Sequence, residues 1–334
     1  MYIKDDAFAS YKLLRNEFEK RGYNASEEII NDRRIVTFTS PSGQEWKTSV
    51  SRLSYPFNSQ RIRDVSVNKE IAYEFAQKQS FSTPYTYYVS ETNEMTSSKI
   101  DNLLGRYKKL IVKPADSSLS RGLTVDIQSS EGLRKAILRA RTISPTILIQ
   151  EQVEGEEVRF VVINGKVVAA LLRRTPRIVG DGTSTVAELI NKENEARKIL
   201  NFAYITYPLL SEAIIEPSLM TNDTLLALGE VLELNRATMV RNGASVYDVV
   251  DQVHPSYLAS IEDLVAQLDS KFIVVDIFFR DFTNEKQNDN YWFIEFNTSP
   301  VLKLFYGCRD GKMFDIVPSL VSIIDQWLHK PAKD

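Results

Sequence analysis

The stretch that decides the fold is Gln150–Ile190, QEQVEGEEVRFVVINGKVVAALLRRTPRIVGDGTSTVAELI. It opens with an acidic turn, QVEGEE, set between the apolar run ILIQ and a second apolar run, so two strands are expected with a hinge between them. Asn164-Gly165 is a hairpin signal because both residues tolerate positive φ, and it pairs EVRFVVI with KVVAALL. Arg173 and Arg174 close that hairpin, with Arg159 inside its first strand. The turn Gly180-Asp181-Gly182 then leads to Thr185-Val186-Ala187-Glu188, a capping box that starts a helix running to about Leu200.

Outward from this stretch the chain alternates helix and strand. A helix is expected over Asp6–Arg21, a strand over Ile35–Thr39, and a turn at Ser40-Pro41-Ser42-Gly43. A helix from Asn68-Lys69 through Gln79 precedes the β-rich SFSTPYTYYV (80–89), and LIVKP (110–114) is an apolar strand stopped by Pro114. LTVDI (123–127) alternates at period two, and Ser130–Ile143 has helical spacing that turns Leu133, Ile137 and Leu138 inward. Asn222–Leu234 and Ser256–Leu268 read as packing helices, and Phe314–Trp327 as an amphipathic terminal helix. His254, before Pro255, has a place in shaping a turn. The fold class is α/β in the mixed α+β sense, divided at soft edges into 1–66, 67–150 and 151–334.

Composition restricts the chemistry. Among 334 residues, 41 basic and 44 acidic side chains leave a net charge of −3, so no basic face indicates a nucleic-acid partner. One cysteine, Cys308, cannot close an intramolecular disulfide, and the N-terminus lacks a signal-peptide pattern, so a reducing, cytoplasmic setting is expected. No apolar run reaches the roughly 20 residues needed to span a bilayer. Two histidines, His254 and His329, exclude histidine-rich metal sites and leave little for a Ser-His-Asp arrangement. Lysine, arginine and carboxylates remain, a set suited to phosphoryl transfer, in which positioning and charge stabilisation do most of the catalysis.

Near the C-terminus, FIVVDIFFRD (272–281) and YWFIEFN (291–297) flank the polar loop TNEKQND and read as antiparallel neighbours. Alternation places Asp276, Phe278 and Arg280 on one face of the first, and Phe293, Glu295 and Asn297 on one face of the second. Acidic groups within such apolar strands need a cation. A magnesium ion held by Asp276, Glu295 and the amide oxygen of Asn297 is one answer, and a salt bridge from Asp276 to Arg280 or another cation is the other. The loop ADSSLSRG (115–122) between two strands could present backbone N–H groups to phosphates, or be an ordinary Ser-rich hairpin.

Lys113-Pro114 through Arg121-Gly122, the hinge QEQVEGEE, the arginines and Glu295-Phe296-Asn297-Thr298-Ser299-Pro300 occur in an order that resembles the ATP-grasp carboxylate–amine ligases. The likeness is greatest to the branch of cyanophycin synthetase and the ligase module of bifunctional glutathione synthetase. It spans roughly residues 67–325, and residues 1–66 form a short N-terminal α/β region outside it. The resemblance implies two α+β subdomains clasping ATP. It implies that Lys69 and Lys113 contact phosphates, that the loop carrying Ser118, Ser120 and Gly122 closes over them, and that Gln150, Glu151 and Val153 adjoin adenine. Glu157 would hold the ribose hydroxyls, whose two protons a carboxylate can accept. Asp276, Glu295 and Asn297 would bind Mg2+, with Mn2+ as a substitute. Arg174 would stabilise the transferred charge and Arg159 orient it, while Arg236, Arg241, Asn242 and Gly243 would meet substrate. Ser120 stands where the family has glycine, and Gln150 where glutamate is common.

The implied reaction is amide or peptide bond formation through an acyl phosphate, on an amino acid or short peptide, with no nucleic-acid or membrane partner and with self-association expected. Two alternatives remain at this stage: a nucleotide-binding regulator that has lost ligation, and a small-molecule kinase of the same fold.

Overall fold

The computed structural model describes residues 8–90, 95–116, 121–199, 209–212, 214–235, 238, 240, 243–312 and 314–330. Its first unit is helix α1 (Ala9–Lys20) against an antiparallel sheet of β1 (Asn24–Ile30), β2 (Arg33–Thr39) and β3 (Glu45–Ser49). Residues Asp6 and Ala7 of the expected first helix lie outside the described residues. Helices α2 (Gln60–Val67) and α3 (Lys69–Lys78) follow, each with a side-chain cap: Ser59 accepts from the Ile62 N–H, and Asn68 from those of Glu70 and Ile71.

Next come β4 (Thr86–Val89), α4 (Ser97–Arg106), β5 (Leu110–Pro114), β6 (Thr124–Ile127), α5 (Ser130–Arg141) and β7 (Ile147–Glu151), whose strands form a sheet in the order β4-β7-β5-β6. Leu110, Val112, Ile147 and Ile149 turn toward α4 and α5, joining Leu133 and Ile137 in one core. Leu138 does not join them. It is 65% exposed, because a 12-residue helix lying on one side of a sheet buries only one stripe.

The remaining elements are β8 (Glu156–Ile163), β9 (Lys166–Arg174), β10 (Arg177–Val179), α6 (Val186–Ile199), α7 (Pro217–Met220), β11 (Val231–Glu233), β12 (Ser245–Asp248), α8 (Pro255–Ala266), β13 (Phe272–Phe279), β14 (Tyr291–Asn297) and α9 (Val317–Leu328). The Asn164-Gly165 turn joins β8 to β9 as expected, with Asn164 at φ +48° and Gly165 at +76°. The helix expected over Asn222–Leu234 is absent there. Its C-terminal part is β11, which pairs with β10, and Leu225 and Leu228 are exposed. Pairing with a neighbouring strand overrides the local apolar spacing at this point.

The principal sheet runs β12-β9-β8-β13-β14, and its two faces bury different cores. Val158, Phe160, Val275, Ile277 and Phe293 pack with α2, α3 and α8. Val161, Ile163, Ala169, Leu171, Phe272 and Val274 pack with the first unit and α9. An aromatic chain carries this second contact: Phe18 on Phe38 at 4.5 Å, Phe38 on Trp46 at 5.4 Å, Trp46 on Tyr55 at 6.1 Å, and Tyr55 edge-on to Phe272 at 5.3 Å. Among the described residues no helix is long and apolar enough to cross a membrane.

Candidate active site

The face that carries Val161, Leu171 and Val274 is apolar for only half its length. Continuing along the same strands at period two, the side chains become Arg159 and Glu157 on β8, Arg173 on β9 and Asp276 on β13. Register sets them side by side: Glu157 opposite Arg173, Arg159 opposite Asp276, and Asp276 opposite Glu295 of β14.

Arg159 grips Asp276 through two parallel bonds, Nε to Oδ1 at 2.7 Å and a terminal nitrogen to Oδ2 at 2.6 Å. Arg173 reaches Oδ2 at 3.5 Å and donates to Glu157 Oε1, and Thr238 donates to Glu157 Oε2 at 2.7 Å. The cation that answers Asp276 is thus Arg159, across one strand, rather than Arg280, whose guanidinium lies 5.1 Å over the Trp292 ring. Burial drives the Asp276 carboxyl toward its neutral form, but Arg159 and Arg173 outweigh it and hold the carboxyl below the usual range. Glu295 goes the other way. Burial and then the Asp276 charge raise it, with Lys69, Arg159 and Lys113 opposing.

One irregularity brings Glu295 into place. Asp276 pairs with Glu295 and Ile277 with Phe293, so Ile294 is an extra residue, a β-bulge. Simple alternation would put Phe293 on the face of Glu295 and Asn297. The bulge instead sends Phe293 into the core with Phe296 and turns Glu295 and Asn297 onto the face of Asp276. Asn297 Oδ1 accepts the Ser299 N–H at 3.0 Å, and Thr298 Oγ1 meets Ser66 Oγ at 3.1 Å.

The smaller sheet supplies lysine. Because Leu110 and Val112 face α5, Lys113 takes the opposite face with Leu148 and Gln150. Lys113 Nζ donates to Tyr73 Oη at 3.3 Å, and burial pushes it down to about 8 against the pull of Glu295. Lys69, at the first turn of α3, is lowered by burial and then by Lys113, with Glu295 again opposing. Both lysines therefore share an electrostatic neighbourhood with Glu295. Gln150 is 1% exposed and donates to Tyr73 Oη at 3.1 Å and Thr86 Oγ1 at 2.6 Å.

In the hinge, Glu151 Oε1 accepts the Tyr85 N–H at 2.8 Å, and Val153 is partly buried. Gly155 has φ +146°, and a Cβ there would lie 2.1 Å from the Phe279 carbonyl oxygen, so only glycine allows the chain this close to β13. Gly122, at φ +78°, also favours glycine, and a Cβ there would crowd the Ile143 and Pro114 side chains. Gly243 is buried just before β12.

Arg174 stands on the other side of the sheet from Arg173. Its Nε donates to Glu156 at 2.7 Å and its guanidinium lies 5.3 Å over Tyr247. Ser118, Ser120, Arg236, Arg241 and Asn242 lie outside the described residues. Sequence reading assigned no separate role to Arg173 and passed over Tyr73 and Thr238. Tyr73 had a signal, since it follows Lys69 by one helical turn and shares its face.

The donor set suits a hard cation. Two carboxylates stand abreast with an amide oxygen near them. Mg2+ keeps several waters and is commonly bound through one or two carboxylates together with phosphate oxygens. Among the described residues no group of three or more His, Cys, Asp or Glu side chains is placed to cage a metal alone.

No family model matches the chain. It is 24% identical over 267 residues to the glutathione biosynthesis bifunctional protein of Streptococcus agalactiae, covering 76% of this chain and 35% of that protein. It is 27% identical over 209 residues to a cyanophycin synthetase of Nostoc sp., covering 60% of this chain and 23% of the relative. The chain thus spans about a third or less of the length of these relatives. A crystal structure of a bifunctional glutathione synthetase from Pasteurella multocida superposes over 96% of this chain and 44% of its own, with a TM-score of 0.66 and 18% identity. The fold is the ATP-grasp fold, and the resemblance read from the motifs extends to named ligases.

Proposed function

We propose that this chain is an ATP-dependent carboxylate–amine ligase that joins an amino acid or short peptide to an amine. One observation carries the reading: Lys69 and Lys113 share an electrostatic neighbourhood with Glu295, which stands opposite Asp276 across β13 and β14, a pairing of cations for phosphate oxygens with oxygens for a metal. The relatives' names, glutathione biosynthesis protein and cyanophycin synthetase, support the reaction class.

In this scheme Lys69 and Lys113 hold the phosphates in line with the substrate carboxylate. Asp276, kept ionised and oriented by Arg159, joins Glu295 and Asn297 as metal ligands. Mg2+ bound there would neutralise charge on the phosphate oxygens. The hinge around Gln150–Val153 borders the purine and Glu157 the ribose. Arg173, on the face of Asp276, supplies positive charge to the carboxyl oxygens in place of Arg174, which lies across the sheet, and the loop ending at Gly122 shuts out water. A carboxylate oxygen attacks the γ-phosphorus and ADP leaves. An amine nitrogen then attacks the acyl carbon, phosphate leaves, and the nitrogen gives up a proton. Self-association is part of the proposal, and light scattering tests it: one monomeric mass at every concentration removes it.

The reaction is tested by amine-dependent ADP release with MgATP over pools of amino acids and dipeptides, products being read by mass. A product one water lighter than the sum of two pool members, lost in Glu295→Ala, is expected. A stable phosphorylated product formed without amine would show a kinase instead.

A further inference from the structure

Two exposed patches set apolar side chains among charges of opposite sign. The first lies on the unit of β10, α6, α7 and β11, which has its own small core around Ile178, Ile190, Leu226 and Leu234. Residues 222–233 run antiparallel to 177–187, with Val231 opposite Val179 and Leu225 opposite Thr185. Because Leu226 and Leu234 turn into the core, Leu225 and Val231 turn out of it. Leu225, Leu228, Val231 and Val179 are 60%, 82%, 50% and 52% exposed. The cations of this unit are spent: Arg177 on Glu233, Lys192 on Asp181, Arg197 on Glu193 and Lys198 on Glu195. Glu212, Glu216 and Asp223 are exposed and make no ion pair among the described residues, so the surplus charge around the ribbon is negative.

The second patch is the outer face of α5. Arg134, Leu138 and Arg141 follow one another at helical spacing along it, with Arg139 beside them, and Leu138 is 65% exposed. The helix has one acid, Glu131, which Lys135 holds at 2.6 Å. Arg134 donates to the Ser97 hydroxyl at 2.9 Å, and Arg139 and Arg141 have no carboxylate partner among the described residues. The surplus charge here is positive. Like charge opposes the pairing of either patch with its own copy, whereas the two patches complement each other.

We propose that these surfaces join two copies of this chain, with α5 of each copy seated on the 222–233 ribbon of the other. The inference rests on the self-association proposed above, not on the reaction, and names the surface that carries it. A two-fold axis makes the contact twice and closes the pair. With on the order of 400 Å² from each of the four patches, the pair buries about 1,600 Å² in total, the size of a standard interface. The leucines and valines fill the middle of each contact, and the arginines and carboxylates at its rim select the partner surface and make the association sensitive to salt.

Sedimentation velocity of the full chain, at concentrations up to about 100 μM, tests this with two exposed charge reversals. Arg139→Glu with Arg141→Glu reverses α5, and Glu216→Lys with Asp223→Lys reverses the ribbon. The parent should form dimers whose Kd weakens at least about tenfold between roughly 50 and 500 mM NaCl. Each double variant alone should be monomeric. An equimolar mixture of the two should pair as the parent does, since the reversed α5 of one then meets the reversed ribbon of the other and the unchanged patches meet as before. A parent that stays monomeric at every concentration removes self-association and this inference with it. A parent dimer that both variants leave intact keeps self-association and refutes these surfaces. Monomeric variants whose mixture stays monomeric refute the pairing of α5 with the ribbon, and parent assemblies larger than two chains refute the closed pair.

Discussion

Replacing Arg159 by methionine isolates the central ion pair of the charged face. The side chains of Arg159 and Asp276 are 8% and 1% exposed, and the guanidinium fork satisfies both carboxylate oxygens at 2.6–2.7 Å. Removing it leaves Asp276 with Arg173 at 3.5 Å as its remaining cation. A broken buried pair of this kind destabilises a protein by about 3–5 kcal/mol, because the abandoned charge has already lost its water. With an unfolding entropy near 2.1 cal/mol/K per residue over 334 residues, that is a fall in Tm of about 4–7 °C. Arg159→Met with Asp276→Asn removes the charge together with its partner. It should recover at least half the loss, since an amide is far less costly to bury than an ion. Thermal unfolding of the parent, the single variants and the double variant decides the matter. A single variant within 1 °C of the parent, or a double variant below both singles, would refute the account of Asp276 as a charge kept in place by Arg159.

Three further outcomes follow from the same contacts. Lys113, pushed down to about 8 chiefly by burial, must be protonated to attract phosphate, so MgATP affinity should weaken about fivefold between pH 8 and pH 9. Stability without nucleotide should move the opposite way, rising from about pH 8 toward 10.5 because the unfolded chain there binds the extra proton; titration calorimetry and thermal unfolding at the two pH values check both signs. Gly155→Ala, with its Cβ forced against the Phe279 carbonyl at an unfavourable φ, should destabilise by roughly 3 kcal/mol in urea unfolding, from overlap and backbone strain together. Leu133→Ala, fully buried, should destabilise by about 2–5 kcal/mol, whereas Leu138→Lys, 65% exposed, should stay within about 0.5 kcal/mol of the parent.

Elements with strong local signals were legible in the sequence. The Asn164-Gly165 hairpin, the helix capped by Asn68 and the β13–β14 pair all form where turn chemistry and period indicate. Leu138 and Asn222–Leu234 were misread for one shared reason. Apolar spacing states that side chains could share a face, but a neighbouring element decides whether that face is covered. The small sheet takes Val231–Glu233 as a strand and leaves Leu225 and Leu228 outside, which no window of local sequence encodes.

The site is a harder case, because its chemistry depends on register between strands distant in sequence. Asp276, Glu295 and Asn297 could be named as acidic and amide groups out of place in apolar strands. That Asp276 meets Arg159 from 117 residues away could not, since one residue of slip in either strand would turn the partner to the other face. The bulge at Ile294 makes this concrete. Without it, the alternation that buries Phe293 would bury Glu295 in the same apolar core, and the pair with Asp276 would not exist. The sequence FIEFN therefore serves two demands that strict alternation cannot meet together: Phe293 and Phe296 fill the core at 4.7 Å from each other, and Glu295 and Asn297 stand beside Asp276. Removing the extra residue, Ile294, should close the bulge into a regular ladder, with Asp276 still opposite Glu295 and Ile277 still opposite Phe293. Phe-Glu-Phe-Asn then alternates strictly, both rings stay in the core, and the carboxylate pair should survive the deletion; loss of the pair would show that the site needs the added twist of the bulge rather than its register.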